Sequence, residues 1–246
     1  MSKRIDVNAD LGEGAAHDAA LLALISSANI ACGRHAGDPV LAAATIGQAL
    51  ARGVAVGAHP SHWLAPDMGR SEQRVDSDQC YHSVLYQCGA LKALVEAQGG
   101  RLHHVKPHGA LYNQAARDAE LAGAIARAVR DLDPSLKIYG LAGSELLLAA
   151  HREGLEGISE AFADRRYRAD GSLVPRTEAN ALILAEEEVV EQALALIRGR
   201  ALAHTGEPLA ISAQSLCLHG DNPQALALAR RLIERLCQEG VTVARP

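Results

Sequence analysis

Short strand-like runs alternate with helical patterns along the whole of this 246-residue chain, and no other property restricts its fold as much. The strand candidates are I-D-V-N-A-D (5–10), A-N-I-A-C-G (28–33), V-A-V-G-A-H (54–59), L-H-H-V-K-P (102–107), L-K-I-Y-G-L (136–141), G-I-S-E-A-F (157–162) and S-L-C-L-H-G (215–220). Residues 17–25, 39–52, 77–97, 117–131, 144–153, 186–198 and 223–239 carry apolar side chains at three- and four-residue spacing, the mark of helices with one buried face. Asp38-Pro39 and Asn222-Pro223 each place a capping side chain ahead of a helix-starting proline, and Gly53, Gly99, Gly154 and Gly240 stand where helices end. Strands separated by helices pair in parallel, and seven units without a flexible linker predict a single domain over 1–246: a seven-stranded parallel β/α barrel of TIM-like type. A doubly wound open sheet is the alternative, since periodicity does not separate the two. Residues 165–181 and 202–210 interrupt the alternation and read as excursions over a barrel rim.

Composition agrees. Hydrophobic residues make up 48% of the chain but aromatics only 3%, so the core must be built from Ala, Leu, Val and Ile, as suits parallel strands covered by helices. A net charge of −5 without a basic stripe argues against nucleic acid as a partner. The five cysteines form no C-x-x-C pair, which argues against a disulfide framework or zinc knuckle and for a reducing compartment. No run approaches the length of a membrane span and the N-terminal residues show no signal core, so no membrane association and a cytoplasmic location are expected.

In α/β barrels the C-terminal ends of the strands form the active face. Here those ends carry Asn8, Asp10 and Glu13; Asn29 and His35; His59; Lys106 and His108, with Asn113 a turn further on; Glu160, Asp164 and Arg165; and His219 and Asp221. Bland readings apply to several neighbours. Asp38 and Ser144 read as helix caps. His103 and His104 point to opposite faces of one strand, so at most one reaches the site. His17, His62, His82, His151 and His204 read as surface residues, and Cys32 and Cys217 as small core residues. The set as a whole resists such a reading, because buried charge costs several kcal/mol unless paired. Asp10, Glu13, His35, His59, His108 and His219 are of the types that bind a divalent metal, with Asp10, His35 and His59 the first candidates. The same groups suit acid–base catalysis, with Lys106 steadying a phosphate or oxyanion. The chain has no P-loop, no helical H-E-x-x-H and no G-x-S-x-G elbow.

N-A-D-L-G-E, N-I-A-C-G-x-H-A-G-D-P, G-A-H-P, H-H-V-K-P-H-G-A-L-Y-N, Y-G-L-A-G-S-E, F-A-D-R-x-Y and C-x-H-G-D occur in this order. With them the sequence closely resembles the LamB/YcsF family, the first of the three subunits of the prokaryotic ATP-dependent 5-oxoprolinases, from about residue 5 to about residue 240. The resemblance implies a seven-stranded barrel related to the glycoside hydrolase/deacetylase barrels. It also implies an activity: opening of the 5-oxoproline lactam to L-glutamate, coupled to hydrolysis of ATP, together with two other oxoprolinase subunits, PxpB and PxpC. Arg34 and Ser61-His62-Trp63 depart from the family pattern, in loops over the site.

On this reading Lys106 and His108 stabilise an anionic oxygen or phosphate, Asp10 or Glu13 orients water or a cation, and His35, His59 and His219 transfer protons or bind metal. The alternatives are a stand-alone metal-dependent deacetylase or amidohydrolase, and a non-catalytic subunit that delivers the lactam.

Overall fold

A computed structural model describes residues 3–65, 67–176, 178–218 and 225–246. In chain order its elements are β1 (Lys3–Leu11), α1 (Asp18–Leu21), β2 (Ser27–Ala31), α2 (Pro39–Ala51), β3 (Ala55–His59), α3 (Ser77–Ala97), β4 (His104–Val105) and α4 (Gly109–Ala115). Then come α5 (Ala119–Leu132), β5 (Lys137–Leu141), α6 (Glu145–Arg152), β6 (Glu156–Phe162), α7 (Glu186–Ile197), β7 (Ser215–Leu218), α8 (Ala225–Gln238) and β8 (Val241–Val243). Strands β1 to β7 pair in parallel in sequence order, and β1 meets both β7 (Asn8 opposite Cys217) and β2 (Asp10 opposite Asn29). The sheet is therefore a closed seven-stranded barrel, as expected, and not an open one.

Local chemistry explains the boundaries. Asp38 caps α2, accepting from the amides of Val40 (2.7 Å) and Leu41 (2.9 Å), and Pro39 supplies the fixed φ of the first turn. Ser144 caps α6 through the Leu147 amide and Asp118 caps α5. Three elements differ from expectation. The first helix is only four residues long. α4 is a seven-residue helix too short to show a periodic pattern. β8 is a three-residue strand that extends the sheet beside Lys3–Ile5. The expected excursions are present as antiparallel bridges, Arg165 with Leu182, Tyr167 with Leu173, and Leu202 with Pro208. The expected end of the seventh strand (219–220) and the Asn222-Pro223 cap lie outside the described residues.

The aliphatic core lies where composition put it, between strands and helices: Val7, Ala9 and Leu11 of β1 are fully buried there with Ile46, Val84, Ile125 and Leu232. The inside of the barrel is different. β1 residues on its other face reach across it: Asp6 accepts from Tyr139 of β5 (3.0 Å), and Asn8 donates to Glu160 of β6 (2.8 Å). Where barrels of this type are usually filled by branched aliphatics, this one is filled by a hydrogen-bonded polar column. Asp6, Asn8 and Asp10 all face inward, so the alternation that the sequence shows is functional on one side and structural on the other. No helix among the described residues is long and apolar enough to cross a membrane.

Candidate active site

The column has three levels. At the bottom, Asp6 collects hydroxyls, accepting from Ser26 (2.6 Å), Ser27 (2.7 Å), Tyr139 and Ser215. In the middle, Asn8 and Asn29 are saturated. Asn8 Nδ2 donates to Glu160 and Ser215, and its Oδ1 accepts from Asn29 (2.7 Å) and Lys106 (3.0 Å). Asn29 Nδ2 also donates to Asp10 Oδ1 (2.8 Å), and its Oδ1 lies 2.8 Å from His104 Nε2. This His104 is the one of the histidine pair that reaches the interior. It is fully buried, and burial holds its ring well below the usual histidine range. Gly57 of β3 makes room for it, since a Cβ there would stand 2.1 Å from Nε2.

Lys106 links the middle level to the top. Its ammonium lies 2.8 Å from Glu160 Oε1, 3.1 Å from Asp10 Oδ1 and 3.1 Å from Cys217 Sγ. Burial by itself favours the neutral amine, but Asp10 and Glu160 more than offset it and hold the amine charged. With a side chain 3% exposed, Lys106 pairs with two carboxylates of the site, so an anion meeting it shares it with Asp10 and Glu160. Cys217 is fully buried in the core, as expected, and its Sγ faces Lys106.

The top level is built by loops. Gly12 and Gly14 take left-handed φ of 72° and 86°, and the Gly12 amide donates to Asp18 Oδ2 (2.8 Å), so the turn holding Glu13 is fixed from both sides. His35 comes from the loop after β2, His59 ends β3 and His108 precedes α4. The rings of His35 and His108 stack with centroids 3.7 Å apart, and His59 meets both edge-on. His59 Nδ1 lies 2.7 Å from the Lys106 carbonyl and His108 Nε2 lies 2.9 Å from the Met68 carbonyl. A carbonyl only accepts, so these nitrogens carry the protons, and the opposite nitrogens face the site. His108 donates its Nε2 proton to the Met68 carbonyl and turns Nδ1 toward the site. Met68 itself holds a left-handed φ of 57°, which is uncommon for a non-glycine residue.

Around these rings, His59 Nε2 is 3.4 Å from Asp10 Oδ2, and His35 Nε2 is 3.0 Å from Glu13 Oε1. Burial pushes His35 and His108 down to about 3. Burial also opposes charge on His59, but the adjacent Asp10, helped by Glu13, raises it above the ordinary value. Asp10, Glu13 and His108 keep 15%, 16% and 11% of their side-chain surface exposed, so a substrate meets these three first. Glu13, His35, His59 and His108 place their ligand atoms within 4.8 Å of one another. Of the expected metal-binding types, Glu13, His35, His59 and His108 come together, with Asp10 3.4 Å from His59 at the edge of the set.

Asn113 is exposed on α4, and among the described residues no hydrogen bond ties its side chain to the cluster. Asp164 and Arg165 are buried where β6 runs into the rim segment, with Arg165 Nη2 donating to the Val174 carbonyl (2.7 Å). His219 and Asp221 lie outside the described residues. His62 is not a surface residue: it is buried and 2.7 Å from Gln114 Oε1. The two departures from the family pattern meet each other, because the Arg34 guanidinium sits 3.8 Å from the Trp63 ring centroid and donates twice to the Trp63 carbonyl. Sequence reasoning missed Tyr139, Ser215 and Cys217 as part of the column, and left open which of Asp6, Asn8 and Asp10, and which of His103 and His104, faces inward. The period-2 phase shared by Asp6, Asn8 and Asp10 was the available signal for the first of these choices.

The LamB/YcsF family model matches residues 5–246. Among solved structures, a lactam utilization protein from Thermus thermophilus superposes with a TM-score of 0.92 at 42% identity, covering 98% of this chain and 99% of that one. A protein named for cellobiose-phosphate cleavage from Enterococcus faecalis gives a TM-score of 0.60 at 14% identity, over 100% and 98% of the two chains. A family 4 carbohydrate esterase from Streptomyces lividans gives 0.50 at 11% identity, over 99% and 92%, a likeness of fold alone. The match over nearly the whole sequence and the 42% identity agree: this chain belongs to the LamB/YcsF family.

Proposed function

We propose that the chain is one component of an ATP-dependent 5-oxoprolinase, which with two partner subunits opens the lactam of 5-oxoproline to L-glutamate and hydrolyses ATP to ADP and phosphate. The observation that carries this reading is the cluster of Asp10, Glu13, His59 and Lys106 at the barrel mouth, in a chain 42% identical to a lactam utilization protein. A lactam is a stabilised amide. Coupling to ATP fits phosphorylation of the ring carbonyl oxygen, which turns the carbon into an electrophile that water attacks. Breaking the C–N bond then requires a proton on the departing nitrogen and leaves γ-glutamyl phosphate, which a second water hydrolyses to L-glutamate and phosphate. His59 suits that proton transfer, because Asp10 faces its Nε2 and the Lys106 carbonyl fixes its other nitrogen. Asp10 and Glu13, the exposed carboxylates, suit orientation of the water. Lys106 pairs with both Asp10 and Glu160. The chain has no P-loop, so the nucleotide site is completed by partner chains, and residues 165–181 on the rim offer the natural contact.

A stand-alone metal-dependent amidohydrolase is the second reading, favoured by the Glu13-His35-His59-His108 donor set. Substitution decides between function and scaffold: Asp10→Asn and His59→Gln in the assembled enzyme should lower turnover by at least ~100-fold while the subunits still associate. Normal turnover in both variants contradicts the proposal, and ring opening without ATP favours the second reading.

A further inference from the structure

His59 Nε2 and His108 Nδ1 face each other at 2.9 Å. Each ring donates its proton away from the other, to the carbonyls of Lys106 and Met68. In their neutral forms both inward nitrogens present lone pairs, and two lone pairs at that distance repel unless a cation sits against them. Glu13 Oε1 lies 3.6 Å from His108 Nδ1, 4.0 Å from His59 Nε2 and 3.0 Å from His35 Nε2. A tetrahedral ion with bonds of about 2.0–2.1 Å to nitrogen and oxygen sets its ligands roughly 3.3 Å apart, within the spread of these distances. His35 is held by packing on His108 and by the 3.0 Å contact of its Nε2 with Glu13 Oε1, a contact that an ion between them would replace.

We propose that Glu13, His35, His59 and His108 form a binding site for one first-row divalent ion of the zinc, cobalt or manganese type, with Asp10 beside it as a further oxygen donor. Three imidazoles and a carboxylate suit such ions better than magnesium or calcium, which take oxygen ligands. The backbone carbonyls of Lys106 and Met68 do what outer partners of metal-bound histidines do: they fix the tautomer and aim the bare nitrogen at the ion. Gly69 beside Met68 allows this approach, since its Cβ position is 3.1 Å from His108 and 3.3 Å from His35. Binding is measured without any substrate, so its test stands apart from the lactam reading; an ion at the site takes His59 Nε2, and Asp10 is then the group left to pass the proton to the departing nitrogen.

The test uses the full chain, stripped with a chelator and titrated with Zn2+ and Co2+. Bound metal is counted after equilibrium dialysis, and the visible spectrum of the Co2+ form is recorded. One ion per chain is expected, with cobalt absorption typical of mixed nitrogen and oxygen ligands. Glu13→Gln, which keeps size and shape, and His108→Ala should each weaken binding by at least ~10-fold, whereas His204→Ala on the surface should not. Circular dichroism confirms folding; if His108→Ala does not fold, Glu13→Gln alone decides. Absence of a retained ion in the natural chain overturns the proposal and leaves a proton on His59 as the cation. So does binding that Glu13→Gln leaves unchanged.

Discussion

The Lys106 ammonium sits 2.8 Å from Glu160 Oε1 with both side chains buried, an ion pair that crosses the inside of the barrel from the end of β4 to β6. Removing one partner leaves the other charged in a place water barely reaches. Lys106→Met should cost ~3–5 kcal/mol of stability, in addition to lost activity. Lys106→Met with Glu160→Gln should recover part of that loss, because no orphan carboxylate remains at position 160. Urea unfolding of the two variants checks this; a double variant no more stable than the single one contradicts the pairing.

Acid should destabilise the metal-free protein early. His35 and His108 titrate at about 3 in the folded chain against 6.5 for the free side chain. Between those values the unfolded chain binds more protons. Their contribution is whole above pH 6.5 and is lost as pH falls, by up to ~1.4 kcal/mol per pH unit for each ring. His59 works the other way: raised by Asp10, it contributes below 6.5 and loses that contribution as pH rises through its folded value. Denaturant midpoints followed from pH 7 to pH 5 should fall, and His35→Gln with His108→Gln should flatten the slope. An unchanged slope in that variant contradicts neutral buried rings.

Arg34 and Trp63 should behave as one unit. Trp63 is the only tryptophan, so its emission reports the contact without interference. Arg34→Ala should lower the fluorescence anisotropy of Trp63, and a double-mutant cycle should give a coupling of ~0.5–1 kcal/mol. Unaltered anisotropy would mean that the loop holds its shape without the arginine.

Two glycines make a controlled comparison. Gly57→Ala drives a Cβ into His104 and breaks its hydrogen bond to Asn29, so it should cost ~1–3 kcal/mol and lower turnover. Gly89→Ala, inside α3 with only Leu132 at 3.8 Å, should instead stabilise by ~0.5–1 kcal/mol through helix propensity. Thermal unfolding distinguishes the two, and equal shifts would contradict the packing described for His104.

Much of this was legible in the sequence because it is local. The period of the apolar residues, the Asp38-Pro39 cap and the end of each strand gave the barrel, and with it Asp10, His59, Lys106 and Glu160. What was not legible depends on distance through space. That Lys106 pairs with a second carboxylate rests on Glu160, 54 positions later (160 − 106), which no local pattern reveals. The protonated nitrogen of His108 is set by a carbonyl of Met68, 40 positions earlier, in a loop without a motif. His62 has no periodic context, so only the Gln114 contact shows that it is buried. Short elements such as α4 and β8 carry too few residues for a period to emerge.

We propose that this barrel works on a lactam only as part of an ATP-coupled assembly. The most direct measurement is 5-oxoproline-dependent ADP release together with glutamate formation, for the chain alone, for the two partner subunits alone, and for all three. The account predicts neither product from the chain or the partners alone, and both products in equal amounts from the three together. It also predicts that Asp10→Asn, placed next to His59 and Lys106, lowers both products of the assembly by at least ~100-fold. Robust ring opening by the isolated chain, or full activity of the partners without it, would contradict the account.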